Sequence, residues 1–223
     1  MSNNLIKTNL FSNRVLQIEF KNTKKNNALS LRMLEELYDI LSDKKYLEGF
    51  SCIIFKGYKK GPFSSGADLA DLSLRGGNDK LEAYQNRLKK VLFILPKIKV
   101  PKVCIINSFC MGAGFIFALH TDIILATKKS KFSIPASKLG LQLPEYIIKQ
   151  LFKKFPNRYF LSDILISARS FTAKEAYNAN LISQLIEESS YFQNCSSYIQ
   201  EILKSSISVN KYYLSKKDKQ CLI

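Results

Sequence analysis

Two short runs of small residues carry the strongest chemical signal in the sequence. The first reads GPFSSGADL over Gly61 to Leu69, and the second reads MGAGF over Met111 to Phe115. Small residues let a bound group approach backbone N–H groups closely, and the second run opens a helical pattern whose N-terminus is partially positive. A single glycine turn is usually only a turn. Two that converge on one oxygen would form an oxyanion hole for a thioester enolate.

Side chains that could transfer protons are few. The single histidine, His120, lies among apolar residues in a helical pattern, which favours a buried structural role. Without a second histidine, Ser-His-Asp and Cys-His catalysis are disfavoured, although Ser64 and Ser65 lie in an exposed turn. An odd number of cysteines without a C-x-x-C pair indicates reduced thiols rather than disulfides or a zinc site. These cysteines are Cys52, Cys104, Cys110, Cys195 and Cys221.

The segments that would position the two turns alternate between strand and helix patterns. Short apolar runs precede each turn, as in buried strands. Apolar residues at helical spacing follow Ser30, which is the predicted N-cap. The sequence has no repeat and no low-complexity linker, which predicts one α/β core. Strands are predicted at 14–20, 51–56, 102–107, 122–126 and 183–186, and helices after Ser30 and over 81–95, 145–155, 158–167 and 172–180.

Composition narrows the class of protein. The chain has 223 residues, 46% of them hydrophobic, with 15 Phe and 11 Tyr, which excludes a disordered chain. The most apolar stretch, 103–119, is too interrupted to span a membrane, and the first residues lack a secretory pattern, so the cytoplasm is the expected location. The net charge of +16 fits nucleic-acid binding, an anionic ligand or a lysine-rich surface. The lysine pairs are scattered along the sequence, which favours a lysine-rich surface and disfavours nucleic-acid binding.

The order of several motifs resembles that of the enoyl-CoA hydratase/isomerase (crotonase) superfamily over about 14–186. The motifs are NNALS at 26–30, FSSGADL at 63–69, IINSFCMGAG at 105–114, ALHTDI at 118–123, KFSIP at 131–135, KLG at 138–140 and FTAKEAYNANL at 171–181. The resemblance implies an α/β fold, a crotonase-like spiral of β-β-α units. It also implies an acyl-CoA or acyl-carrier thioester as substrate, no separate cofactor, and a homotrimer, often paired into a hexamer.

The resemblance also implies which residues form the site. The backbone N–H groups of Ser65 and Ala113 align with the family's oxyanion hole, and the loop from Ser65 to Leu69 would line the adenine side of the CoA pocket. The substrate-binding residues implied in this way are Ser64, Gly66, Ala67, Asp68, Leu69, Gly112, Gly114 and Ala136.

Two departures from the family pattern bear on chemistry. Ile116 and Ala136 occupy the positions of the two hydratase glutamates, and neither can hold a water or accept its proton, which disfavours hydration. About forty residues follow Ser183, fewer than the family usually has. The expected organisation is therefore a spiral core over 1–187 and a shortened C-terminal helical extension over 188–223.

Glu145 is the candidate catalytic base. It follows LGLQLP at 139–144, where several isomerases of the superfamily carry a catalytic Asp or Glu, although this chain has one extra residue before Pro144. A catalytic Glu145 should face an apolar pocket, which would raise its pKa. A plain helix-start glutamate after Pro144 explains the residue equally well.

Three functions stay open at this point. The leading hypothesis is an isomerase-like acyl-thioester enzyme, because double-bond migration needs one base rather than two. Decarboxylation of an acyl thioester needs no general base, and Tyr84, Lys89 and Lys90 are candidates to assist it. The third is a non-catalytic acyl-CoA-binding or assembly subunit. RNA binding ranks below all three.

Overall fold

A six-stranded sheet forms the centre of the fold. The structure is a computed structural model, and it describes residues 4–59, 61–72 and 78–217. The strands of this sheet are β1 (Ile6–Phe11), β2 (Val15–Phe20), β3 (Cys52–Gly57), β4 (Lys102–Ile106), β6 (Ile123–Thr127) and β9 (Gln184–Ile186), in the spatial order β1-β2-β3-β4-β6-β9. Strand β1 pairs antiparallel with β2, and each later neighbour is parallel. The parallel strands therefore end at one edge, where ligands commonly bind.

A smaller sheet and the helices surround this centre. The smaller sheet has the order β5-β7-β8, formed by β5 (Phe109–Met111), β7 (Lys131–Ser133) and β8 (Phe171–Thr172). Most predicted strands and helices are confirmed, including the N-cap: Ser30 accepts a hydrogen bond from the Met33 N–H at 3.2 Å. The helices are α1 (Leu31–Ser42), α2 (Lys44–Glu48), α3 (Leu69–Leu72), α4 (Asn78–Ile94), α5 (Gly112–Ala118), α6 (Glu145–Lys154), α7 (Arg158–Ile166), α8 (Ala173–Asn178), α9 (Tyr191–Lys204) and α10 (Ile207–Lys217).

Both faces of the sheet are covered, which explains the continuous apolar runs in its strands. On one face, the ring centroid of Phe117 lies 5.5 Å from that of Phe20 and 5.1 Å from that of Phe55. On the other face, the buried side chains of Cys195 and Ile199 in α9 join a core with residues of five strands, β2, β3, β4, β6 and β9. The boundary at residue 187 stays a prediction, but α9 packs on the central sheet.

Strand β1 was not predicted from the sequence. Of its six residues, Ile6 alone is fully buried, so the segment lacks the apolar run of a covered strand. Pairing with β2 stabilises it, and β2 is buried along nearly all its length. The edge strand is therefore defined by its neighbour and not by its own composition.

The cysteines behave as the sequence predicts. Cys52, Cys104, Cys110 and Cys195 are buried free thiols, while Cys221 lies outside the described residues. Burial raises the pKa of Cys52 and Cys104 to about 12, so neither thiol is reactive near neutral pH. Within the described ranges, no group of His, Cys, Asp and Glu side chains could hold a metal ion, and no helix is long and apolar enough to cross a membrane.

Candidate functional site

The two glycine turns lie side by side, as the sequence predicts. The Phe63 N–H donates to the Phe109 carbonyl at 3.1 Å, and the Met111 N–H donates to the Ser64 carbonyl at 2.9 Å. The first turn is thereby fixed along β5, directly before α5. Gly66 has φ +104°, and a Cβ there would lie 3.2 Å from the Met111 carbonyl oxygen. Glycine is thus required where the two backbones approach each other.

Ser64 and Gly114 hold the turns together. Ser64 is fully buried, and its hydroxyl accepts a hydrogen bond from the Gly66 N–H at 3.1 Å. A Cβ on Gly114 would lie 2.4 Å from the Ser64 Cβ, so any larger residue would push the turns apart. Both residues were predicted to bind substrate, and the structure places them behind the cavity wall instead.

A cavity of about 740 Å³ opens beside the turns. Its wall also includes residues of α4, of the segment 134–144 and of α6. Asp68, predicted to bind substrate, does not line this cavity: its buried carboxylate lies 2.6 Å from the Lys25 ammonium and fixes the loop. Of the residues predicted to form the oxyanion hole or to bind substrate, those that do line it are Ser65, Gly66, Ala67, Leu69, Gly112, Ala113 and Ala136.

Ala113 presents a backbone donor to the cavity. It lies in the first turn of α5, after the N-cap residue Met111, where helix N–H groups have no helical acceptor. Among the residues that the structure describes, none accepts a hydrogen bond from this N–H. The positive end of the α5 dipole lies at the same point. Ala113 can therefore donate to a carbonyl oxygen that enters the cavity.

The backbone of Ser65 does not present a second free donor. Its N–H donates to the Asn26 carbonyl at 3.0 Å, and its hydroxyl donates to the Lys25 carbonyl at 3.0 Å. Asn26 and Asn27 both have positive φ, 50° and 56°, and this tight reversal brings the Asn26 carbonyl to Ser65. The expectation of two free donors is corrected to one, because a neighbouring turn occupies the other.

The inner wall of the cavity is apolar. Ile116 is buried and Ala136 lines the wall, so the positions of the hydratase glutamates face the cavity and hold no acid. Leu88, Ile134 and Ile147 complete the buried part of the wall. Among the described lining residues, no buried carboxylate is present. The cavity therefore has the backbone N–H of Ala113 as a donor and no buried carboxylate among its described lining residues.

Glu145 lies at the mouth of the cavity and not inside it. Its side chain is 79% exposed, and its carboxylate lies 2.7 Å from the ammonium of Lys149, one helical turn later. The hydrogen bond from Lys149 lowers the pKa of Glu145. The expected burial and raised pKa were wrong, because Glu145 begins α6 on its solvent side while Ile147 and Leu151 face inward. Glu145 is therefore better described as a glutamate at the start of a helix than as a buried base.

His120 has the structural role that the sequence predicts. It is buried, its Nδ1 lies 2.7 Å from the Ile116 carbonyl oxygen, and its Nε2 contacts the side chain of Gln150. Burial lowers the pKa of His120 to about 4. The neutral ring therefore connects the end of α5 to α6, which forms part of the cavity wall.

The buried His120 predicts a pH-dependent stability. As the pH falls from 6.5 to about 4, the unfolded chain binds a proton on this ring and the folded chain does not. The free energy of unfolding should fall by about 3 kcal/mol across that window, and the stabilisation is complete above it. Urea unfolding at pH 7 and pH 4 measures the change. His120→Gln should show a smaller change, and equal changes in both proteins would contradict the prediction.

Of the three residues on α4 that the sequence named, the structure brings one to the cavity. Tyr84 is 2% exposed and lines the wall. Lys89 and Lys90 are exposed, and the Lys89 ammonium lies 5.4 Å from the ring centroid of Tyr146. Sequence reasoning missed Gln85, which also lines the cavity. It lies four residues after Leu81 and three before Leu88, which also line the cavity, so helical spacing could have identified it.

Comparison with known proteins gives a consistent result. The family model described as enoyl-CoA hydratase/isomerase matches residues 11–220. Enoyl-CoA hydratase domain-containing protein 3, mitochondrial, from Danio rerio is 30% identical over 178 residues, which cover 78% of this chain and 59% of that protein. Methylmalonyl-CoA decarboxylase from Escherichia coli is 27% identical over 176 residues, which cover 78% of this chain and 66% of that protein. The chain thus spans between about three fifths and two thirds of the length of these relatives.

A solved structure supports the same conclusion. The crystal structure of human enoyl Coenzyme A hydratase domain-containing protein 3 matches with a TM-score of 0.88 and 26% identity, covering 98% of this chain and 85% of that one. The predicted crotonase fold is confirmed. Together with the match of the family model, this places the chain in the enoyl-CoA hydratase/isomerase family of the crotonase superfamily.

Proposed function

We propose that the chain binds an acyl-CoA, or a carrier-bound acyl thioester, in the cavity beside Ala113. The thioester oxygen accepts a hydrogen bond from the Ala113 N–H, and the acyl group lies against the apolar wall. A volume of about 740 Å³ is in the range of small-molecule sites, and the net charge of +16 attracts an anionic thioester. One relative, which is 27% identical, is named methylmalonyl-CoA decarboxylase, and that name specifies a CoA thioester as substrate.

Decarboxylation is the reaction that this site supports best. The observation that carries the proposal is the described lining, which has an oxyanion donor but no buried carboxylate. When an acyl thioester with a carboxylate on its α-carbon loses CO₂, the breaking C–C bond leaves its electron pair on the enolate. The enolate oxygen is stabilised at Ala113, and the α-carbon then takes a proton from water. No carboxylate base takes part.

Hydration and double-bond migration fit less well. Hydration needs groups that hold a water, and Ile116 and Ala136 cannot do so. Migration stays a second candidate because Glu145 lies at the mouth of the cavity. The ion pair with Lys149 keeps that carboxylate charged and exposed, so it is a weak base for a carbon acid. Trimer formation and a cytoplasmic location stay predictions.

Product analysis with matched thioesters tests this proposal. We expect CO₂ release from malonyl-CoA or methylmalonyl-CoA, and no hydration of crotonyl-CoA above the uncatalysed rate. Glu145→Gln should change the decarboxylation rate less than about threefold, as should Glu201→Gln, a control in another exposed ion pair of a helix. Migration of a 3-enoyl-CoA double bond that drops about 10²-fold or more in Glu145→Gln would show an isomerase instead. Binding without any turnover would indicate a non-catalytic subunit.

A further inference from the structure

Gln85 is a polar residue in the mostly apolar wall of the cavity. It lies in α4 between Leu81 and Leu88, and all three residues line the cavity. Its side chain carries two N–H donors and one carbonyl acceptor. Gln85 is only partly exposed, so a hydrogen bond formed there is screened by water less than one at the surface.

Contacts with α6 fix the position of this turn of α4. The Tyr146 hydroxyl donates to the backbone carbonyl of Gln85 at 3.4 Å. The ring centroid of Tyr146 also lies 6.0 Å from that of Phe93 and 5.4 Å from the Lys89 ammonium. The contact at Gln85 uses its backbone, so a change of its side chain leaves the packing of the two helices intact.

The side-chain amide of Gln85 is available to a ligand. Across the ranges that the structure describes, no side chain or carbonyl forms a hydrogen bond with this amide, and its polar atoms keep accessible surface. The Ser65 hydroxyl, in contrast, already donates to the Lys25 carbonyl. The other polar residues of the described lining, Gln142 and Glu145, are exposed. Gln85 thus offers the wall a partly buried side-chain donor that is not yet used.

We propose that Gln85 determines which acyl groups the cavity accepts. Its amide donates a hydrogen bond to an oxygen on C3 of the acyl group, the second carbon after the thioester carbonyl. The substrate class is then acyl thioesters of the malonyl type, which carry a carboxylate at C3, rather than plain alkyl thioesters. A keto oxygen at C3 occupies the same place and makes a stable probe. This inference rests on the proposed function, since it assumes that the acyl group enters this cavity.

A neutral donor is suited to a carboxylate that leaves as CO₂. An ammonium or guanidinium ion would stabilise the carboxylate more in the bound substrate than in the transition state, because the negative charge moves to the thioester oxygen during the reaction. An amide recognises the carboxylate through a weaker hydrogen bond and so retards the reaction less. Gln85 therefore selects the substrate, while the N–H of Ala113 stabilises the developing charge.

Binding of two thioesters of equal chain length tests the inference. Acetoacetyl-CoA and butyryl-CoA differ by the keto oxygen at C3, and neither can lose CO₂ during a titration. We expect calorimetry to show that the wild-type protein binds acetoacetyl-CoA about fivefold more tightly, the effect of one net hydrogen bond. Gln85→Leu, a good helix former of similar size, should bring the two affinities within about twofold without weakening butyryl-CoA binding. The control Asn86→Leu removes the exposed amide of the next residue, outside the cavity lining, and should keep the preference.

A second variant tests the recognition of a carboxylate. Gln85→Glu keeps the shape of the side chain and adds a negative charge, which repels a carboxylate at C3. At pH 8, kcat/KM for CO₂ release from malonyl-CoA should fall by about tenfold or more, while the affinity for butyryl-CoA should change less than about threefold. Losses of equal size for the two thioesters would overturn the inference.

The remaining outcomes separate the inference from the proposed function. If the preference for acetoacetyl-CoA survives in Gln85→Leu, or is absent from the wild type, Gln85 does not select the acyl group although thioesters bind. If Gln85→Leu weakens both thioesters equally, the residue has a structural role and the inference is again overturned. If the wild type binds neither thioester, the proposed function itself fails, and the inference fails with it.

Discussion

Replacing Ala113 by proline is expected to lower the rate of thioester turnover by about 10²-fold to 10³-fold, as loss of one oxyanion donor does elsewhere. The substitution deletes the N–H that faces the cavity. Proline is tolerated in the first turn of a helix, where no helical hydrogen bond is lost, so α5 should persist. The measurement is kcat/KM for CO₂ release from malonyl-CoA, together with the thermal midpoint.

Ala113→Gly is the matched control. It removes the methyl group and keeps the N–H, so turnover should stay within about an order of magnitude of the wild type. The effect of proline should be large because the Ser65 N–H is already held by the Asn26 carbonyl. Near wild-type turnover in a folded Ala113→Pro protein would show that the oxyanion is stabilised elsewhere.

Replacing Lys102 by methionine is expected to reduce the free energy of unfolding by about 3–5 kcal/mol, as breaking a buried ion pair does. The Lys102 side chain is 1% exposed, and its ammonium lies 2.7 Å from the Asp122 carboxylate. The same ammonium donates to the carbonyls of Ile98 and Val100 at 2.8 and 3.1 Å. The substitution leaves these acceptors without their donor in a buried place. Urea unfolding at neutral pH measures the loss.

An exposed ion pair provides the control for Lys102. Lys128 pairs with Glu187 on the surface, where both side chains are more than half exposed, so Lys128→Met should cost less than about 1 kcal/mol. The Lys102 pair lies at the start of β4, away from the edge where the parallel strands end. Lys102→Met should therefore lower stability while the folded fraction keeps its affinity for thioesters. Equal losses in the two variants would contradict this account.

The sequence predicted those parts of the fold and site that depend on local backbone requirements. Gly66 and Gly112 both adopt positive φ, and Gly114 has no room for a Cβ, so the motifs at 63–69 and 105–114 mark the two turns reliably. The spacing of the motifs also predicted that Ile116 and Ala136 occupy the positions of the two hydratase glutamates in the cavity wall. These features are fixed by single residues in a turn or at the start of a helix, which a sequence shows directly.

Features that depend on side-chain direction and on distant contacts were not predictable in the same way. The burial of Glu145 depended on which side of α6 its first residue faces, and one extra residue before Pro144 left that open. The engagement of Ser65 depends on the backbone of Asn26, almost forty residues earlier in the chain. Ser64 and Gly114 resemble ligand-binding residues by motif, but their mutual contact shows that they pack against each other.

The most direct test of the central claim is a crystal structure of the protein with a stable malonyl-CoA analogue that retains the thioester carbonyl oxygen. We predict that this oxygen lies about 3 Å from the Ala113 nitrogen, and that no Asp or Glu oxygen lies within about 4 Å of the α-carbon. A carbonyl oxygen bound away from Ala113, or a carboxylate in contact with the α-carbon, would contradict the account.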